Sequence, residues 1–197
     1  MEQSKEPTGE SMSGRESLAL IRDMISRAKG DFRSQAFYFL LWGWIILAGS
    51  LGHFLLLHVE LTARPEWAWA VIAVGVIASF VKGARDGRTE EVRTYPNRVY
   101  STIWMVFLAN YFLIIYFLSA DPHYLTPLVL LLAAGSTFLS GCVLRFPPLK
   151  YGGYFIWALA IAAFLLPLAW QLLATAAAVA GGYLVPGYLL KNSGEDS

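Results

Sequence analysis

The chain has 197 residues, 56% of them hydrophobic, 15% aromatic and only 15% charged, with a net charge of +1 and a mean hydropathy of +0.50. Soluble domains carry about 25% charged residues, so the deficit points to a lipid-embedded chain, and the near-zero charge gives no electrostatic basis for nucleic-acid binding. A single cysteine, Cys142, excludes an internal disulfide and cannot build a zinc site by itself.

Residues 1–13 are rich in Ser, Glu, Gly and Pro and read as a disordered tail. No secretory signal peptide is read: the first 30 residues are polar, and the first apolar run exceeds a signal h-region. Ser13-Gly-Arg-Glu16 has the S-x-x-E form of a capping box. The helix predicted behind it sets Leu18, Ile21, Ile25, Ala28 and Phe32 on one stripe of a 3.6-residue period. Arg22, Lys29 and Arg33 border that stripe. Residues 14–34 are therefore expected to form an amphipathic cytoplasmic or interfacial helix that meets lipid headgroups, a partner protein or the chain's own bundle. Gly30-Asp31 looks like a C′ glycine followed by a new N-cap, so the helix is expected to bend there into the first span.

Six transmembrane helices follow within residues 35–191: Gln35–His58, Pro65–Val81, Val99–Ser119, Pro127–Leu144, Tyr151–Leu168 and Gln171–Leu190. Pro65 and Pro127 suit first helical turns, Thr126 suits an N-cap, and Pro167 with Ala-Trp-Gln is the expected turn between the last two spans. Residues 192–197 read as a second disordered tail. The fold class expected is all-α, a polytopic bundle of six membrane helices. Alternate sides of it hold 14 and 1 of the 15 Lys and Arg residues, which places both termini in the cytoplasm and supports an even number of spans.

All 29 Asp, Glu, Lys and Arg residues fall in tails, loops or span ends. An intramembrane charge is the usual pointer to a proton relay or ion path, so proton-coupled transport and carboxylate-based proteolysis are disfavoured. No metalloprotease, nucleophile-elbow, Walker or dinucleotide pattern occurs. No catalytic residue, cofactor site or metal site is assigned. His53, His58 and His123 all map to the outer side, but His53 and His58 lie about 140° apart around one helix.

Asn110, near the middle of the third span, is expected to bond a neighbouring helix or line a small polar cavity, with Ser50, Ser79, Ser136, Thr137 and Ser140 as partners. Small residues recur at Ala48 and Gly52; at Ala133, Thr137 and Gly141; and at Ala174, Ala178 and Gly182, as close internal packing or a dimer seam requires. Gly181-Gly182 and Pro186-Gly187 could interrupt the sixth span. The largest loop expected, Lys82 to Arg98, carries Arg85 and Arg88, which with Arg22, Lys29 and Arg33 could hold anionic lipid headgroups.

The segments MISRAKGDF, FYFLLWGWIILAGSLGHFLLL, TFLSGCVLRFPPLKYGG and YLVPGYLLKN resemble uncharacterised six-span bacterial integral membrane proteins of the Bacteroidota type. The resemblance covers nearly the whole chain after residue 15. It implies a bacterial inner-membrane location and supplies no activity or functional residue. Two function classes follow. The favoured one is a non-enzymatic component that binds lipid, or a cytoplasmic partner through residues 14–34. The alternative is a small transporter or channel for a neutral or lipid-like solute.

Overall fold

The computed structural model describes residues 14–59, 64–89, 95–118 and 121–193, with side chains for 34–59, 64–85, 98–118, 121 and 123–193. Both expected tails up to residue 13 and from residue 194 lie outside the described residues, as do the side chains of Arg22, Lys29, Arg33 and Arg88. The elements are α1 (Gly14–Val59), a 3-10 turn (Pro65–Ala70) leading into α2 (Val71–Thr89), α3 (Tyr95–Leu118), α4 (Pro122–Val143), α5 (Pro147–Ala163), α6 (Leu168–Val179), a π segment (Ala180–Leu184) and α7 (Val185–Ser193). No strand occurs among the described residues.

Five of the described helical segments are long and apolar enough to cross a bilayer. The 17 residues of α5 reach about 26 Å at 1.5 Å per residue, and its short connections to α4 and α6 make it antiparallel to both. The chain is an all-α polytopic membrane protein. Its central helix is α1, against which α6, the π segment, α7 and α2 pack; α5 joins α4 to α6, and α3 leans on α4.

Several expected boundaries move, each for a local reason. The helix end and new N-cap expected at Gly30-Asp31 do not form, because α1 runs unbroken through both residues. The apolar stripe ending at Phe32 continues through Ala36 and Phe39 at helical spacing, so a break would rotate a matched face away from the bundle. The long basic loop is mostly helix, since α2 extends to Thr89 and α3 begins at Tyr95. The fourth span starts at Pro122, capped by Asp121, whose Oδ1 accepts from the His123 N–H at 3.3 Å; Pro127 is therefore inside α4 rather than at its start. The turn before the last span is Phe164 to Pro167, and Ala169, Trp170 and Gln171 already belong to α6. Asn192 and Ser193 are helical.

Between α4 and α5 the chain turns on Arg145, the one described non-glycine residue with positive φ, at 51°. Phe146 N–H donates to Gly141 O at 3.0 Å and Arg145 N–H to Cys142 O at 3.2 Å, the bond pair of a Schellman cap. Pro147 and Pro148 then occupy the first turn of α5, where a missing N–H costs nothing. Small residues let these helices close: a Cβ at Gly141 would stand 2.7 Å from the Lys150 backbone nitrogen, and one at Gly153 would stand 2.9 Å from that of Phe138. Ala133, Thr137, Ala174, Ala178 and Gly182 are likewise buried, so two of the three small-residue rows serve internal packing.

Two prolines inside helices leave carbonyls without their usual donor, and each is met differently. Pro127 cannot donate to His123 O. Gln171 of α6 replaces it, its Nε2 donating to that oxygen at 3.1 Å. Pro186 cannot donate to Gly182 O, and the chain widens into the π segment just before it, with Val185 N–H donating to Ala180 O. Gly152 of α5 leaves room for the Gly182 carbonyl, since a Cβ there would lie 2.8 Å from it. The interruption expected in the sixth span is this π segment.

Candidate functional site

At the end of the bundle that carries Lys82 and Arg85, a groove of about 530 Å³ opens between α1 and α2. Glycines explain where it opens. Toward the other end the two helices are tight, because a Cβ at Gly49 would meet Trp69 at 2.8 Å and one at Gly75 would meet Ile45 at 2.6 Å. By Gly83 a Cβ would find nothing nearer than the Tyr38 hydroxyl at 3.8 Å.

Phe37 forms one wall of the groove, and Val74, Ile77, Ala78 and Val81 form the other. Those four recur at helical spacing, and the next positions of the same face are Lys82 and Arg85. Lys82 Nζ stands 5.3 Å from the Phe37 ring centroid, within cation–π range. The result is an apolar trough with cations at its mouth, one of which, Arg85, the sequence selects for lipid headgroups. Lys82 and Phe37 were missed. The signal that could find them is the 74–78–81–85 register read together with Phe37.

The expected polar site does not assemble. Asn110 points out of the bundle, and its Nδ2 donates to Val106 O of its own helix at 2.8 Å. Ser136, Thr137 and Ser140 are buried on α4, but Thr137 donates to Ala133 O at 2.8 Å and Ser140 to Ser136 O at 2.7 Å. Both are one-turn back-bonds that satisfy a hydroxyl without lining a cavity. Ser50 does the same toward Leu47 O. A second groove, about 450 Å³ between α3 and α4, is walled by apolar side chains with Thr102 and Ser136 at its edge; Asn110 is not among them.

The three histidines are held apart. His53 Nδ1 accepts from the Trp69 indole at 3.0 Å, and His123 Nδ1 lies 3.3 Å from Gln171 Nε2. His58 donates from Nδ1 to Phe54 O at 2.9 Å. No group of three metal-ligating side chains occurs among the described residues.

Two buried glutamines were not singled out by sequence. Gln171 is fully buried and also donates to Leu166 O, while its Oε1 has no partner. Gln35 is 2% exposed, and neither of its amide atoms has a partner. It lies one turn from Phe39, whose ring meets Tyr100, Trp104 and Tyr183 edge-on at centroid distances of 5.5 to 6.4 Å. The Trp104 indole nitrogen is also unpaired. Each glutamine continues a buried face by one turn, Gln171 before Ala174 and Ala178, Gln35 before Phe39. That register is the signal that marks them.

Compared with protein-family models, curated proteins and solved structures, the chain matches none.

Proposed function

We propose that this chain is a non-enzymatic protein of the bacterial inner membrane, with both termini cytoplasmic, that holds an anionic lipid in the α1–α2 groove. One observation carries the reading. The groove has apolar walls along the span, and Lys82 and Arg85 stand where the span meets the headgroup zone. An acyl chain fits the first part and an anionic headgroup the second. The cytoplasmic assignment of that end rests on the 14-to-1 distribution of basic residues. A partner-binding role for residues 14–34 rests on their sequence stripe. The transport alternative loses its main motive, because Asn110 lies outside the bundle.

Native mass spectrometry of the full chain released from mixed nanodiscs tests this reading. Phosphatidylglycerol is expected to be retained over phosphatidylcholine. The paired substitution Lys82→Gln with Arg85→Gln is expected to reduce that retention about fivefold or more, since each interfacial cation contributes about 1 kcal/mol. Equal retention of the two lipids, or retention unchanged by the paired substitution, overturns it.

A further inference from the structure

Asn110 is a polar side chain that the bundle leaves facing outward at mid-span. It sits 12 residues from Arg98 and 8 from Leu118, the ends of the α3 span, or about 18 and 12 Å along the helix. It is exposed at that depth, where the surroundings are hydrocarbon. Among the described residues its side chain makes one hydrogen bond, the donation from Nδ2 to Val106 O, which leaves Oδ1 to accept from a donor outside them. Water is absent from the bilayer core, so only another protein surface can supply a donor there.

The residues around it form a seam. Val99, Ile103, Val106, Asn110, Leu113 and Phe117 follow one another at spacings of 4, 3, 4, 3 and 4. That spacing fits the 3.5-residue repeat of paired helices, which a helix apolar all round offers on every face. What singles out this one is its lone Asn, where a polar residue fixes register and partner number. Val99, Ile103 and Val106 line the α3–α4 groove, and Val106, Leu113 and Phe117 are 54%, 55% and 71% exposed. Among the described residues, α4 flanks the half of the seam from Val99 to Val106, and the half from Asn110 to Phe117 is exposed.

We infer that α3 is the interface between two copies of this chain, paired in parallel about a two-fold axis along the membrane normal. Two copies inserted the same way carry Asn110 at the same depth, so the two amides meet without any adjustment of register. A carboxamide is self-complementary: each Oδ1 accepts from the other copy's Nδ2. A different partner would have to bring its own polar group to that depth. The inference is independent of the lipid reading, because the α1–α2 groove shares no residue with the seam.

Cysteine crosslinking of the full chain in liposomes tests it, in a Cys142→Ser background because Cys142 is exposed. Val106→Cys and Leu113→Cys are expected to form dimers on mild oxidation. Met105→Cys and Phe112→Cys are expected not to, although these positions are 68% and 65% exposed and equally accessible. In parallel, fluorescence energy transfer between labelled copies reads the dimer equilibrium. Asn110→Val is expected to weaken association about 3- to 30-fold, the range of one or two membrane hydrogen bonds, and Asn110→Gln to retain most of it. Since Asn110 is exposed, neither change threatens the fold. A monomer at every protein density, crosslinking as strong at positions 105 and 112 as at 106 and 113, or association indifferent to Asn110→Val overturns the inference.

Discussion

A Cβ added at Gly153, between α5 and α4, would stand 2.8 Å from Phe138 and 2.9 Å from its backbone nitrogen; one added at Gly83, on α2, would meet only the Tyr38 hydroxyl at 3.8 Å. The two sites show how differently the two regions of this bundle are built. From α4 to α7, small residues bring backbone against backbone, and the two helix-interior prolines are accommodated, Pro127 by Gln171 of another helix and Pro186 by the π segment. Along α2 and the outer face of α3 that packing is missing, and large apolar residues such as Phe80 and Phe112 face outward. In lipid the second construction is no defect, because hydrocarbon solvates an exposed Phe as well as a neighbouring helix does. What a membrane protein gains inside its bundle is packing and polar pairing. The tight region has both, and the loose flank has room for ligands and copies.

The largest expected effect comes from the core side, with Phe39→Ala of α1, which removes a 2%-exposed ring in contact with Tyr100 and Trp104 of α3 and with Tyr183. It should cost about 2–4 kcal/mol, somewhat below the range for soluble cores because the unfolded helices stay in lipid or detergent. Phe80→Ala on the loose flank should stay within about 0.5 kcal/mol. Reversible unfolding in mixed micelles measures both, and comparable costs would erase the distinction between the regions.

The next effect concerns the proline in α4. Gln171→Leu strands the His123 and Leu166 carbonyls and should cost about 1–3 kcal/mol. Pro127→Ala restores a backbone donor for His123 O, so the penalty of Gln171→Leu should shrink in that background. A double-mutant cycle without coupling would show that Gln171 does not stand in for the missing N–H.

Matched glycine substitutions give a smaller contrast with a change of sign. Gly153→Ala should destabilise by about 1–3 kcal/mol, because the obstacle is the Phe138 backbone as well as its side chain. Gly83→Ala should stabilise by up to about 1 kcal/mol through helix propensity, since its Cβ has ordinary contact only. The same melts read both, and equal signs would defeat the comparison.

Much of the architecture was legible because a bilayer imposes length and charge rules that a single sequence displays. The uncharged run from Gln35 to Val59 and the basic residues around Lys82 sufficed to draw spans and their alternation. Boundaries were less legible where proline was involved. Pro122, Pro127, Pro147 and Pro167 are all compatible with a first turn, and only the Asp121 cap and the cross-helix bond from Gln171 show which ones start a helix. The direction of Asn110 was not legible at all. α3 is apolar around its whole circumference, so no periodic contrast distinguishes the face that meets α4 from the face that meets lipid. Gln35 and Gln171 were hidden for the opposite reason, since a polar residue near a span end reads as interfacial until its neighbours show a buried face.

The unbroken α1 has a mechanical consequence. At 46 residues it is about 69 Å long, roughly twice the thickness of the hydrocarbon it crosses. An α-helix with no break transmits torque, because twisting one end without the other would tear its hydrogen bonds. Phe39, Ile45 and Gly49 are fixed to the same rod as residues 14–33. Whatever grips the first turns of this helix therefore has a handle on the α2 contacts, the aromatic cluster and the groove mouth at once. The rod has no joint at which that motion could be lost.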